Sequence, residues 1–278
     1  MTVRTRYAHS PEAVAAMDTA QLRGAFLDGE LFSPGEARGL YLHSDRILAF
    51  GVVPLAEPVT LPTPDEVRAE FVLQRREAGI LNIGGPGSVR ADGVDYPLAH
   101  TEALYLGRGT RDVVFSSDDA ENPAVFYVFT AVVHQTHPNT RITRDDMNIV
   151  ELGSPETANR RTLNQCIIQG RTASASIAFG FTTVHRGSTW NTMPPHTHDR
   201  RTECYLYFDM DPADRVFHVM GQVEESRHLV VSNRDFVVSP SWSMHFGAGT
   251  GPYSFVWATA GENAAYDDMD HVRVVDIK

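Results

Sequence analysis

Short apolar runs separated by turn residues dominate the chain from about residue 40 onward. The runs are rich in Val, Ile, Phe and Tyr, and Gly, Pro, Asn and Asp divide them; examples are ILAFGVV, ILNIGG, DVVFSS, VFYVFTAVV, FHVM and HLVV. Many short strands with regular turn signals are typical of an all-β barrel or sandwich. We therefore expect an all-β fold.

Residues 10–30 have a helical pattern instead. Ser10 can cap a helix that has Pro11 at its first position, and apolar residues then recur at helical spacing up to Gly29. We expect residues 1–38 to form a short helical N-terminal segment.

A weak internal repeat divides the rest of the chain. Residues 103–115 resemble residues 236–248, and residues 75–83 resemble residues 200–208; the segments are ALYLGRGTRDVVF with FVVSPSWSMHFGA, and RREAGILNI with RRTECYLYF. Each longer segment reads as a strand, a tight turn and a second strand. The repeat therefore predicts two similar β-barrels of about 100 residues each, which is a common size for a protein domain.

The joint between the two barrels is expected within residues 137–161, where Pro, Asn, Thr and charged residues crowd together. The predicted barrels are therefore residues 39–145 and residues 146–278.

The charge balance argues against a nucleic-acid partner. The chain has 24 Lys and Arg against 35 Asp and Glu, a net charge of -11, and the acidic residues are spread along the chain. A small acidic substrate remains compatible with this charge, because a few arginines in a pocket outweigh a diffuse field that is screened over about 8 Å.

No part of the sequence predicts secretion or membrane insertion. The first residues lack the apolar stretch of a signal peptide, and no window approaches the roughly 20 apolar residues that span a bilayer. Cys166 and Cys204 lie outside any CxxC spacing. We expect a cytoplasmic protein with both cysteines reduced.

One segment has the spacing of a metal site. His196 and His198 stand at i and i+2, which on a strand places both imidazoles on one face. Residues 199–202 are polar, as a turn would be, and Glu203 opens the apolar return strand with its side chain facing the histidines. Hairpin geometry thus adds a third ligand to the pair.

His245 can supply a fourth ligand, because it follows the Pro-containing segment VVSPSWSM at the end of a strand. Three nitrogens and one carboxylate oxygen suit zinc, and also manganese, iron, cobalt or nickel. Alternation after Glu203 places Tyr205 and Tyr207 on the same face, so both are candidates for the wall of a pocket.

The segments MPPHTHDRRTECYLYFDM, SPSWSMHFGAGT, GENAAYDDMDHV and RREAGILNIGGPG resemble the 5-keto-4-deoxyuronate isomerase family of the cupin superfamily. The resemblance extends over essentially the whole chain. It implies a bicupin, with two jelly-roll β-barrels and a short helical N-terminal segment. It also implies one zinc ion in the C-terminal barrel on His196, His198, Glu203 and His245, a homohexamer, and a role in the breakdown of pectin or a related polyuronide.

The reaction implied by this resemblance interconverts 4-deoxy-L-threo-5-hexosulose uronate and 3-deoxy-D-glycero-2,5-hexodiulosonate. It is an aldose–ketose isomerisation, in which a divalent ion would stabilise an enediolate while a base carries the proton. The sequence identifies no catalytic base: Tyr205, Glu203 and a metal-bound hydroxide all remain open.

Arginines are the candidates for binding the substrate carboxylate, because a guanidinium fork fits a carboxylate well. We expect Arg160 or Arg161 to make this contact, with Tyr205 in the pocket wall, although both arginines also fit surface charges at the end of a linker. Arg200 and Arg201 have a weaker claim because a turn is usually exposed. The acidic cluster at residues 267–270 is expected to be a solvated turn.

The first barrel departs from the metal pattern. Counted back from Glu77, the positions of the two histidines hold Val72 and Glu70, and Asp112 stands where the last histidine would be. We expect this barrel to be free of metal and to serve packing and assembly.

Two other functions use the same ligand set. A cupin dioxygenase would hold iron or nickel there and consume oxygen, and a non-catalytic sugar-binding bicupin would bind its ligand without turnover. Metal identity, oxygen uptake and turnover distinguish the three.

Overall fold

The computed structural model describes residues 2–278, of which Thr2 is described by its backbone alone. Strands account for most of the regular structure. In chain order they are β1 (Thr2–Arg6), β2 (Leu27–Asp28), β3 (Ala37–Leu42), β4 (Leu48–Val52), β5 (Val59–Thr60), β6 (Arg76–Asn82), β7 (Gly87–Ala91), β8 (Val94–Leu98), β9 (Ala103–Leu106), β10 (Val113–Ser117), β11 (Phe126–Val132), β12 (Thr140–Ile142), β13 (Asn148–Leu152), β14 (Arg161–Ile167), β15 (Ala178–Val184), β16 (His196–Thr197), β17 (Arg201–Phe208), β18 (Val216–Gln222), β19 (Glu225–Val231), β20 (Phe236–Ser239), β21 (Met244–Gly249), β22 (Tyr253–Gly261) and β23 (Asp270–His271).

The helical elements are short. They are the α-helices α1 (Pro11–Ala15) and α2 (Thr19–Phe26) and the single 3₁₀ turns Asp65–Val67, Val72–Gln74, Arg144–Asp146 and Val274–Asp276. None of the helices within residues 2–278 has the length and apolar character needed to cross a membrane.

Local capping explains why the helical N-terminal region contains two helices. The Ser10 hydroxyl accepts a hydrogen bond from Ala13 N (3.3 Å), with Pro11 at the first position of α1. Asp18 begins α2 through a capping box, in which its carboxylate accepts from Gln21 N (2.8 Å) and the Gln21 side chain accepts from Asp18 N (2.9 Å). The chain therefore leaves α1 and re-enters helical conformation at Asp18.

The chain forms two compact units. Among the described residues, the first comprises residues 2–6, 30–147 and 166–178, and the second comprises residues 7–29, 148–165 and 179–278. The N-terminal helices thus belong to the second unit. The predicted division into residues 1–38, 39–145 and 146–278 stays a prediction.

The first unit contains a seven-stranded sheet, ordered β1-β3-β4-β11-β6-β9-β12, and a four-stranded sheet, ordered β5-β10-β7-β8. The two sheets face each other across an apolar core, as the packing of Phe115 against Phe126 shows with ring centroids 5.1 Å apart. Alternate residues of both sheets fill this core, which excludes water from the interior.

The second unit has the same plan. Its seven-stranded sheet is ordered β13-β14-β15-β22-β17-β20-β2, and its five-stranded sheet is ordered β19-β18-β21-β16-β23. The interior of this unit is rich in aromatic residues; Tyr205 stacks on Phe255 with centroids 5.0 Å apart. The pairings of residues 2–278 therefore define two sheets in each unit and no single closed barrel.

The strands of the sequence repeat occupy matching places in the two units. In the first unit β6 lies between β11 and β9, and in the second unit β17 lies between β22 and β20. The segments that resemble each other in sequence thus form strands at the same places in the two sheets, β6 with β17 and β9 with β20. The sequence repeat therefore corresponds to a repeated sheet order. Both cysteines are buried, and neither forms a disulfide within the described residues.

Candidate metal centre

Four side chains converge in the interior of the second unit. His196 lies on β16 directly opposite His245 on β21, and Glu203 projects from β17 in the facing sheet. His198 follows β16 at the spacing that returns its side chain to the same side. The ligand atoms of these four residues all lie within 4.8 Å of one another.

The distances between ligand atoms are close to those of a coordination sphere. The Nε2 atom of His196 lies 3.1 Å from His198 Nε2 and 3.2 Å from His245 Nε2. Glu203 Oε2 lies 2.7 Å from His198 Nε2 and 3.1 Å from His245 Nε2. Tetrahedral ligands at about 2.0–2.1 Å from zinc stand roughly 3.4 Å apart, so small side-chain movements admit an ion. The four residues can hold a divalent metal.

The electrostatics of the cluster favour the protonation states that bind metal. Burial, together with His245, lowers the pKa of His196 to about 2, so its imidazole is neutral. Burial raises the pKa of Glu203, but His245 and His198 outweigh this effect and hold the pKa well below its usual range. Neutral imidazoles and an ionised carboxylate are the forms that coordinate a cation.

Hydrogen bonds at the Nδ1 atoms orient two of the imidazoles. His198 Nδ1 lies 2.9 Å from the carbonyl oxygen of Asp268, and His245 Nδ1 lies 3.0 Å from Ser239 Oγ. A carbonyl only accepts, so Asp268 O can receive a hydrogen bond from Nδ1 of His198 when the lone pair of Nε2 serves a metal ion.

The wall of the interior beside the cluster carries tyrosines and a further histidine. Tyr205 lies 5.4 Å from His245 between ring centroids, and its hydroxyl is 3.1 Å from Thr192 Oγ1. The Tyr207 hydroxyl is 2.7 Å from His218 Nδ1. Burial raises the pKa of both tyrosines well above the usual value and lowers the pKa of His218 to about 3. All three are therefore neutral near pH 7.

The two candidate arginines differ in their surroundings. Arg160 is exposed, whereas Arg161 is partly buried. The Arg161 guanidinium donates to Asn159 O (3.0 Å) and Met193 O (3.2 Å). Burial lowers the pKa of Arg161, but the group remains cationic. Its remaining N–H groups can bind an anion.

The sequence did not predict that His218 and Asp268 contribute to the site. His218 is a buried histidine on β18, and its contact with the Tyr207 hydroxyl places it at the site. Asp268 differs from the expected solvated turn, because its carbonyl meets His198 and its carboxylate bonds Arg200 Nε at 2.7 Å. In the sequence, His218 stands in an apolar strand-like segment and Asp268 in an acidic segment, and neither pattern by itself indicates a site residue.

The equivalent position in the first unit is occupied differently. Glu77 is fully buried, and its carboxylate accepts hydrogen bonds from the backbone N–H groups of residues 175, 176 and 177 at 2.8–2.9 Å and from the Tyr105 hydroxyl at 2.6 Å. Asp112 is exposed, and Glu70 pairs with Arg111 at the surface. Glu77 therefore anchors backbone in this unit.

Paired β-sheets that enclose three histidines and a glutamate define a cupin-like protein with a candidate metal centre. Solved structures support the fold. An IolB-like protein from Salmonella typhimurium matches with a TM-score of 0.70 and 17% identity, over 87% of this chain and 94% of that one. The oxalate decarboxylase of Lactobacillus farciminis, in a formate complex, matches with a TM-score of 0.58 and 10% identity, over 87% of this chain and 85% of that one. At these identities the likeness shows the fold alone.

Sequence comparison identifies the family. Residues 37–274 match the KduI/IolB family. A 4-deoxy-L-threo-5-hexosulose-uronate ketol-isomerase of Kineococcus radiotolerans is 50% identical over 98% of this chain and 99% of its own length. The ketol-isomerase of the same name from Formosa agariphila is 46% identical over 99% of this chain and 98% of its own length. The chain belongs to the KduI/IolB family.

Proposed function

We propose that this chain is a ketol-isomerase that acts on 4-deoxy-L-threo-5-hexosulose uronate and yields 3-deoxy-D-glycero-2,5-hexodiulosonate. The observation that carries the proposal is the convergence of three imidazoles and one carboxylate in the unit that also contains the partly buried Arg161. This arrangement suits a substrate that has both a ketol group and a carboxylate. The full-length similarity to relatives named for this reaction agrees with it.

The cofactor of the proposed reaction is one Zn²⁺ ion per chain, held by His196, His198, Glu203 and His245, although another divalent transition metal suits the same donors. When bound, the ion supplies a Lewis acid that polarises the substrate carbonyl. The neutral imidazole of His196 and the ionised, buried carboxylate of Glu203 support this assignment.

The residues around the cluster bind and orient the substrate in this proposal. Arg161 binds the carboxylate through its free N–H groups, and its partial burial strengthens the charge-assisted bond by excluding water. Tyr205 presents a neutral hydroxyl, which can donate to a substrate oxygen. Aromatic walls exclude water from the reacting carbons.

The wider assignments rest on the family resemblance. We propose two cupin barrels in one chain, a homohexamer in the cytoplasm, and a role in pectin or polyuronide degradation. The repeated sheet order of the two units supports the bicupin proposal. Sedimentation velocity of the purified protein tests the hexamer, because a monomer or dimer would contradict it.

Turnover of the proposed substrate by purified, zinc-loaded protein tests the function directly. NMR should show 4-deoxy-L-threo-5-hexosulose uronate converting to the diulosonate without uptake of oxygen. Oxygen consumption with a cleaved product would indicate a dioxygenase, and binding without conversion would indicate a sugar-binding protein.

We predict that isomerisation in heavy water places deuterium on the carbon that receives the hydrogen. Forming an enediolate requires that a group of the protein take a proton from the substrate carbon. Hydroxyl and imidazole groups line this interior, and a proton on such a group can exchange with solvent before it is returned. The product should be examined by NMR at low conversion and after prolonged equilibration. Complete retention of the original hydrogen under both conditions would contradict the enediolate route and support a hydride shift.

A further inference from the structure

Two neighbouring arginines beside the candidate metal centre have different environments. Arg200 pairs with the carboxylates of Asp268 and Asp270 near the surface. Arg201 is buried, with 1% of its surface exposed, and its guanidinium bonds backbone carbonyls. Nη1 donates to Ala265 O at 2.6 Å, and Nη2 donates to Asp268 O at 2.6 Å.

The carbonyl of Asp268 joins Arg201 to a metal-ligand candidate. The same oxygen that accepts from Arg201 Nη2 also lies 2.9 Å from His198 Nδ1. Nη2 and Nδ1 are themselves 3.1 Å apart. Since the carbonyl has two lone pairs, it can accept from both nitrogens, and this leaves His198 Nε2 free to coordinate. Arg201 thus fixes the acceptor that selects the tautomer of His198.

The segment that contains Asp268 also supports a second ligand candidate. We name residues 262–272 the site strap. Within it, β23 pairs with β16 so that His271 lies opposite His196, and Val272 N donates to Pro195 O at 2.9 Å. The site strap therefore borders both histidines of the H-x-H pair.

Burying the charged guanidinium of Arg201 costs free energy, so specific interactions have to stabilise it in this position. Its Nε atom is buried without a hydrogen-bond partner among the described residues, and desolvation lowers the pKa of Arg201. An apolar side chain of similar volume often replaces a buried charge without loss of stability. Such a residue could not hold two carbonyls of the site strap, however.

We propose that Arg201 is a positioning residue for the metal centre, which holds the site strap through the carbonyls of Ala265 and Asp268 and thereby orients His198 for coordination. The inference rests on the metal centre of the proposed function. It predicts that Arg201 affects metal affinity through His198, without touching the ion or the substrate.

The test compares Arg201→Met with Arg200→Met as a matched control in the same turn. Co²⁺ affinity, measured on the full chain by competition with a chelator, should fall about 10–100-fold in Arg201→Met, the usual range when an outer-shell partner of a ligand is removed. Arg200→Met should stay within about threefold of wild type, because its ion pairs with Asp268 and Asp270 are solvent-screened. Arg201→Lys, which keeps the charge and can donate to one carbonyl, should lie between wild type and Arg201→Met.

Two further measurements separate positioning from general stability. The visible spectrum of bound Co²⁺ reports coordination geometry and should change in Arg201→Met only. Hydrogen exchange of the site strap should slow when Co²⁺ binds to wild type, because coupling between strap order and metal binding is reciprocal. Arg201→Met should lose this protection.

Wild-type Co²⁺ affinity and spectrum in Arg201→Met, or an equal loss in Arg200→Met, would overturn the inference. If Arg201→Met fails to fold, as judged by circular dichroism without metal, wild-type affinity in Arg201→Lys overturns it instead. Failure of wild type to bind Co²⁺ would remove both the metal-dependent function and this role. Binding without isomerisation would remove the function alone.

Discussion

Replacing His196 with Ala is expected to remove the bound metal and to lower isomerase activity by at least about 1,000-fold. His196 contributes one of the four donors, so its loss should remove the ion. A Lewis acid stabilises the transition state by several kcal/mol, and a 1,000-fold loss of rate corresponds to about 4 kcal/mol. Elemental analysis should find one ion per chain in wild type and almost none in the variant. His228→Ala, which changes an exposed histidine on β19, serves as the control and should keep metal and activity.

The fold should survive the loss of His196. A chain of 278 residues buries enough apolar surface to be stable without a metal. Far-ultraviolet circular dichroism of His196→Ala should match wild type, whereas loss of the folded signal would make the centre structural. Two ions per chain in the wild-type protein would contradict a centre restricted to the second unit.

Replacing Arg161 with Ala is expected to raise KM by one to two orders of magnitude. The substrate carboxylate would lose a charge-assisted hydrogen bond worth about 1.5–3 kcal/mol. Because the net charge of the protein is -11, an anionic substrate has to be bound by local positive charge. Steady-state kinetics at saturating zinc measure this effect. Metal content should be unchanged, because Arg161 is not among the four clustered ligands.

Arg160→Ala is the matched control for Arg161, since the two residues are adjacent and only Arg160 is exposed. Its KM should lie within about twofold of wild type, as expected for a surface charge that is screened by salt. A KM in Arg161→Ala equal to that of wild type would exclude Arg161 from carboxylate binding. A large effect in Arg160→Ala instead would transfer the role to that residue.

The candidate ligands could be predicted because most of their geometry is local. His196 and His198 share a face by the two-residue period of extended backbone. The predicted hairpin is wrong, because the short polar turn carries the chain from β16 to β17 in the facing sheet, and Glu203 meets the histidines from there. The same alternation places Tyr205 and Tyr207 on the side of Glu203. His245 is distant in sequence, and its inclusion depended on the repeat and on the family resemblance.

The contacts that surround the ligands could not be predicted, because they join distant parts of the chain. Asp268 meets His198 across 70 positions, and Arg201 reaches Asp268 across 67. Nothing in the sequence distinguishes the buried member of the pair Arg160 and Arg161, because both are arginines at the start of a strand.

The N-terminal segment shows the same limit at the level of domains. Its Ser10 cap and helical spacing are local features, but β2 (Leu27–Asp28) pairs with β20 of the second unit. Sheet partners are chosen by tertiary packing, which local propensity does not encode.

The sequence by itself determined the β-rich fold, the repeated strand segments and the four residues that can bind metal, because each depends on local alternation, turn chemistry or recurring motifs. The tertiary structure decided which strands pair, which unit holds the N-terminal helices, and which arginine is buried at the site strap. These features depend on long-range contacts, whose free energy comes from burying apolar surface and satisfying buried polar groups together in one folded chain.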